Sequence, residues 1–171
     1  IANNTITNSG LQGIFIQAFG SNQQEVLASS NTISGSGSQG IFVQAAEGAR
    51  QKFTANGNTV SDSKGQGIFA QASGGTTQEL AINNSTVDST KVGSDGTGGQ
   101  GIFVQSGNQA QQNVTVSGRT VSNSAGQGVF VQASGNGQQS LVANSNTVSN
   151  SAGQGIFVQA AGKTQQVVNI N

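Results

Sequence analysis

Glu25, Glu47, Asp62, Glu79, Asp88 and Asp95 are the acids of this 171-residue sequence, and acid–base chemistry on a substrate would have to start from them. Glycoside hydrolysis, for example, needs two carboxyl groups facing each other across the scissile bond. The sequence has no Cys, His or Tyr. That removes thiol and imidazole nucleophiles, imidazole general bases, thiolate or imidazole metal sites and disulfides. Six Lys and Arg balance the six acids, and charged residues make up 7% of the chain. A nucleic-acid footprint or a polybasic membrane surface needs concentrated Lys and Arg, so neither partner is expected. No catalytic residues, metal ligands or cofactor are expected, and no run approaches the roughly 18 apolar residues of a membrane helix.

Gly, Gln, Ser and Asn supply more than half of the chain, far from ordinary globular usage. Disorder with such a composition usually carries high net charge and lacks aliphatic patterning. This chain is neutral and strongly patterned. The string G-[IV]-F-x-Q begins at Gly13, Gly40, Gly67, Gly101, Gly128 and Gly155, spaced by 27, 27, 34, 27 and 27 residues. The longer spacing is one period plus a seven-residue insertion in the stretch 91–99, KVGSDGTGG. Such a period marks a repeat architecture, and residues 1–171 read as one domain of six units.

Superposed on that period, the units show fixed columns. Phe occupies Phe15, Phe42, Phe69, Phe103, Phe130 and Phe157. One Gln column runs through Gln17, Gln44, Gln71, Gln105, Gln132 and Gln159, and another through Gln24, Gln51, Gln78, Gln112, Gln139 and Gln166. Gln also precedes every motif, from Gln12 to Gln154. Each unit holds three short period-two segments separated by Gly, Ser and Asn, the pattern of strands bounded by turns. Identical strands 27 residues apart are too distant for hairpins and stack in parallel at about 4.8 Å per coil. The expected fold is all-β: a parallel β-solenoid of six 27-residue coils with three strands each.

Alternation sends one parity of each strand inward. The Ile14, Ile16 and Ala18 set belongs inside, which leaves Phe15 and Gln17 outside; the opposite choice would bury a Gln beside each Phe. By the same logic Val26, Phe53, Leu80, Val114, Leu141 and Val168 point inward, as do Ile6, Ile33, Val60, Val87, Val121 and Val148. Gln24 and its equivalents share the inward parity and are expected at a corner as an amide ladder. Asn4, Asn31, Asn58 and Asn146 suggest a second corner ladder, interrupted by Ser85 and Arg119. The outward Phe residues form a stripe roughly 25 Å long at about 4.8 Å per coil. Soluble monomers rarely display contiguous aromatic surface of that kind.

The line Asn146-Thr147-Val148-Ser149-Asn150-Ser151-Ala152-Gly153-Gln154-Gly155-Ile156-Phe157-Val158 resembles the N-x-[IV]-x-[NS]…G-I-x-[VI] repeat of right-handed parallel β-helix proteins. That family includes pectate-lyase-like enzymes, phage tailspikes and secreted bacterial adhesins. The resemblance covers all six coils and implies the right-handed β-helix architecture; many functions share it. The Gln and Asn columns also resemble curli-type functional amyloid repeats, from which the 27-residue period and the Phe in every coil depart.

Three functions compete. A structural or adhesive, non-enzymatic solenoid fits best: a self-assembling subunit of an extracellular filament, surface appendage or biofilm matrix, at or outside the cell surface. Ile1 falls in the column of Ile170, so coils would stack head to tail, and the Phe stripe would pack laterally against a protein partner. The N-terminus shows no signal peptide, so a leader is expected to have been removed or the chain to be part of a longer one. Ice binding is the alternative, through the hydroxyl columns that include Thr5-Ile6-Thr7, Thr32-Ile33-Ser34, Thr59-Val60-Ser61, Thr120-Val121-Ser122 and Thr147-Val148-Ser149, which Asp88 breaks. Binding or cleavage of a surface glycan is a third, although aromatic sugar platforms favour the missing Trp and Tyr. For cleavage, Glu25 and Glu79 share a column two coils apart, about 9.6 Å, with Lys52 between them. Ser94-Asp95-Gly96 could hold a cation, but reads as a turn.

Overall fold

A computed structural model of the chain describes residues 1–93, 96 and 98–171. Those residues form eighteen strands in three parallel sheets of six, and each sheet takes one strand from every coil. The first sheet is built from three-residue strands: Thr5–Thr7, Thr32–Ser34, Thr59–Ser61, Thr86–Asp88, Thr120–Ser122 and Thr147–Ser149. The second carries the Phe motif, in Ile14–Phe19, Ile41–Ala46, Ile68–Ala72, Ile102–Ser106, Val129–Ala133 and Ile156–Ala160. The third consists of Gln23–Ser29, Arg50–Asn56, Thr77–Asn83, Gln111–Ser117, Gln138–Asn144 and Gln165–Ile170. Pairing follows the sequence period without slippage, as in Ile14↔Ile41 and Gln24↔Gln51.

Register survives the insertion. Thr86 pairs with Thr120 and Ile68 with Ile102, each 34 residues on, as equivalent positions pair elsewhere at 27. Val92 and Gly98 form an antiparallel bridge, so these two described residues on either side of the insertion lie next to each other. Ser94 and Asp95, of the Ser94-Asp95-Gly96 segment expected to be a turn, lie outside the described residues.

The corners explain the Asn, Ser and Gly content. One residue after the third strand adopts left-handed φ in successive coils, at Asn3, Ser30, Gly57, Asn84, Gly118 and Ser145, with φ between 48° and 63°. A second such column follows the first strand, at Asn8, Gly35, Asp62, Ser89, Asn123 and Asn150. Short polar side chains and Gly tolerate this region better than bulky or branched residues.

Inside, the expected parity holds. In the Phe strands Ile14, Ile16 and Ala18 are buried, and Ile41, Val43 and Ala45 repeat them in the next coil. Phe53, Leu80, Val114 and Leu141 fill the centre from the third sheet, and Ile33, Val60, Val87 and Val121 close it from the first. Each such burial contributes about 1.5–3 kcal/mol before chain entropy is counted. In the first and last coils the same columns are more open: Val26 and Val148 are partly buried and Val168 is exposed.

The motif Gly has a steric cause. A Cβ on Gly67 would overlap the Val87 γ-methyl and lie 2.7 Å from the Gly101 carbonyl oxygen, both in the following coil. Gly40, Gly101 and Gly128 meet the equivalent neighbours. Only a residue without Cβ lets successive coils approach this closely at that corner.

Candidate functional site

The Phe strands alternate Ile or Val inward with Phe and Gln outward, so their outer face is two columns of identical side chains. The rings of Phe15, Phe42, Phe69, Phe103, Phe130 and Phe157 stack in one continuous ladder, with centroids 4.8–5.2 Å apart and planes within 4–22° of parallel. Phe15, at the end of the ladder, is 51% exposed, whereas the rings that follow are half-buried against their neighbours. Beside them Gln17, Gln44, Gln71, Gln105 and Gln132 each donate from Nε2 to Oε1 of the next Gln, ending on Gln159, at 2.7–3.2 Å. None of the outward side chains of this sheet carries a charge.

A flanking amide ladder lies on the other side, and the sequence columns alone did not reveal it as one. Gln12 donates to Gln39 at 3.1 Å and Gln39 to Gln66 at 3.0 Å; beyond the insertion Gln100 donates to Gln127 and Gln127 to Gln154 at 3.4 Å. Its signal was the Gln that precedes every motif. Gln39 and Gln66 share a groove of about 490 Å³ with Phe69, Phe103, Leu11 and Lys64.

The third Gln column is internal. Gln51, Gln78, Gln112, Gln139 and Gln166 each donate to Oε1 of the preceding column member at 2.7–2.8 Å, back to Gln24. The same amide also reaches the carbonyl oxygen seven residues earlier, such as Gln44 for Gln51. Each buried amide thereby ties the corner between second and third sheets, the location expected from its parity. The Asn corner forms in part: Asn4 donates to Asn31 and Asn31 to Asn58, both at 2.9 Å. Ser85 then accepts only from the Asn58 backbone, and Arg119 projects into the column with 2% exposure.

The acids are scattered. Glu25 pairs with Lys52 at 2.7 Å on the exposed third sheet, and their hydrogen bond raises the Lys52 pKa. Glu79 follows Lys52 in the same column, as the spacing implied. Asp62 pairs with Lys91 at 3.2 Å. Asp88 accepts from Ser122 at 2.6 Å and from Ser89 and Asn123 at 2.8 Å; these bonds hold its carboxyl below the usual range. Asp88 thus engages one hydroxyl of the Thr/Ser face and interrupts its second column, as its position indicated. Glu47 sits at a left-handed turn position.

No helix among the described residues is long and apolar enough to cross a membrane. No curated protein and no solved structure matches the chain. A family model for the right-handed β-helix region matches residues 1–171, the whole length that carries the six coils. Parallel sheets, a 27-residue coil and a family match over every coil agree, and the chain belongs to the right-handed β-helix family.

Proposed function

We propose that this protein is a structural, self-associating β-solenoid, a subunit of an extracellular filament, surface appendage or biofilm matrix rather than an enzyme. The observation that carries the reading is the self-complementarity of the coil. Phe stacks on Phe, Gln bonds to Gln and each strand pairs with its equivalent in register. A surface made of neutral, identical rungs is compatible with another copy of itself, whereas charged rungs would repel along the stack. The Phe and Gln face supplies the lateral contact surface.

Electron microscopy and sedimentation of purified protein test this reading. Filaments or concentration-dependent oligomers are expected, and Phe42→Ser, Phe69→Ser and Phe103→Ser together should weaken lateral association. A protein that stays monomeric at high concentration overturns the proposal.

A further inference from the structure

The ring geometry of the Phe ladder selects what can bind it. Centroids 4.8–5.2 Å apart with planes within 4–22° of parallel exclude rings lying side by side in one plane, which would collide at that spacing. The rings overlap face to face with an offset, so each interior ring turns its faces to its neighbours and its edge outward. Ring edges carry the positive end of the aromatic quadrupole and faces the negative end. The solvent-facing stripe is therefore a row of C–H edges, bounded by the two amide ladders.

We infer that this face is a binding track for elongated, planar, electron-rich aromatic molecules that lie along the solenoid axis with their π face on the ring edges. The inference takes the same Phe face that was proposed above for lateral contact, so such a molecule competes with a second copy for it, and it does not rest on filament formation. A flat π system spanning three rungs, at about 4.8 Å each, makes an edge-to-face contact with every ring below it, the favoured arrangement for aromatic pairs. A second Phe ladder would offer edges to edges and gain less. A sugar stacks its C–H bonds on ring faces, and the faces of Phe42, Phe69, Phe103 and Phe130 are already covered. Charge points the same way. The sheet's outward side chains are neutral and Lys64 sits at the groove beside Phe69 and Phe103, so a neutral or anionic ligand is favoured over a cation.

Three related probes test the inference on the full chain: a neutral 2-arylbenzothiazole fluorophore, its N-methylated cation, and a derivative twisted out of plane by an ortho substituent. Fluorescence titration is run with sedimentation in parallel. The neutral planar probe should bind in saturable fashion, the cation and the twisted probe more weakly. Phe69→Thr with Phe103→Thr should weaken it about tenfold or more, since two edge-to-face contacts are lost, while Thr59→Val on the first sheet should leave it unchanged. If the double variant misfolds by circular dichroism, wild-type protein with labelled Phe rings decides: probe-induced shifts must fall on those rings. Equal affinity in a folded double variant, or shifts elsewhere, overturns the inference. So does failure of the neutral planar probe to bind, whether to a monomer or to laterally paired solenoids, the latter making a second copy the occupant. Binding to a strict monomer would instead overturn filament assembly and leave the aromatic track standing.

Discussion

Gln112 donates from Nε2 to Oε1 of Gln78 at 2.7 Å, 34 residues earlier and across the insertion, with the geometry its counterparts have at 27. Both amides are buried. The seven extra residues therefore leave the internal ladder intact, and it runs in register with the strand pairing of Gln111–Ser117 on Thr77–Asn83.

Gln112→Ala removes the donor to Gln78 and one acceptor for Gln139, residues 0% and 3% exposed, and leaves the buried Gln78 Oε1 without its donor. The expected loss is about 3 kcal/mol, against under about 1 kcal/mol for Gln105→Ala in the outer ladder, where water replaces the partner. Urea unfolding midpoints compare the two. Equal losses would show that burial of the ladder is not what matters.

Gly67→Ala forces a methyl onto Val87 and the Gly101 carbonyl. Overpacking against backbone should cost about 3 kcal/mol. Gly10→Ala is the matched control: its Cβ meets nothing within 4 Å, and stability should change by under about 0.5 kcal/mol. A thermal midpoint for Gly67→Ala close to that of Gly10→Ala would reject the close-approach account.

Arg119 is a fault in the Asn corner. Its Nη2 donates to the Ile82 carbonyl oxygen, the role that Asn58 Nδ2 fills at Ala28 and Asn146 Nδ2 at Val116. Its Nε and Nη1 have no partner, and burial pushes the guanidinium down to about 9. Ser85, in the coil before, is the smallest side chain among the buried members of this column. Ser85→Asn with Arg119→Asn should restore the column and raise stability by about 1–4 kcal/mol, because an unpaired buried charge is removed. The two changes should be non-additive, since Arg119→Asn alone leaves the shorter Ser85 without an amide neighbour to match. Loss of stability in the double variant would refute this.

Asp88 titrates below its ordinary 3.8 in the folded chain, chiefly through the Ser122 hydrogen bond. A carboxylate with a depressed folded pKa stabilises the fold above its unfolded value and loses that contribution as pH falls through the folded one. Thermal midpoints measured from about pH 5 down to about pH 2 should fall more steeply in the wild type than in Asp88→Asn. Parallel profiles would count against the contribution.

The 27-residue period and the alternation within each strand were enough to read the fold from sequence: three sheets, inward Ile and Val, outward Phe and Gln, and an insertion that spares the register. These are one-dimensional facts, because a solenoid places residue i over residue i+27 and a strand sends neighbours to opposite faces. The Gln24 column was legible for the same reason. Contacts between unlike residues in adjacent coils were not. The motif Gly is required by a Val γ-methyl 20 residues away, and Arg119 satisfies the carbonyl of Ile82 past a small Ser85. The Gln12 column was visible as repetition, but bonding along it depends on rotamers that spacing does not encode. The same holds for the Phe ladder. Its outward direction followed from parity, whereas the near-parallel stacking of ring on ring came from packing at the height of a coil.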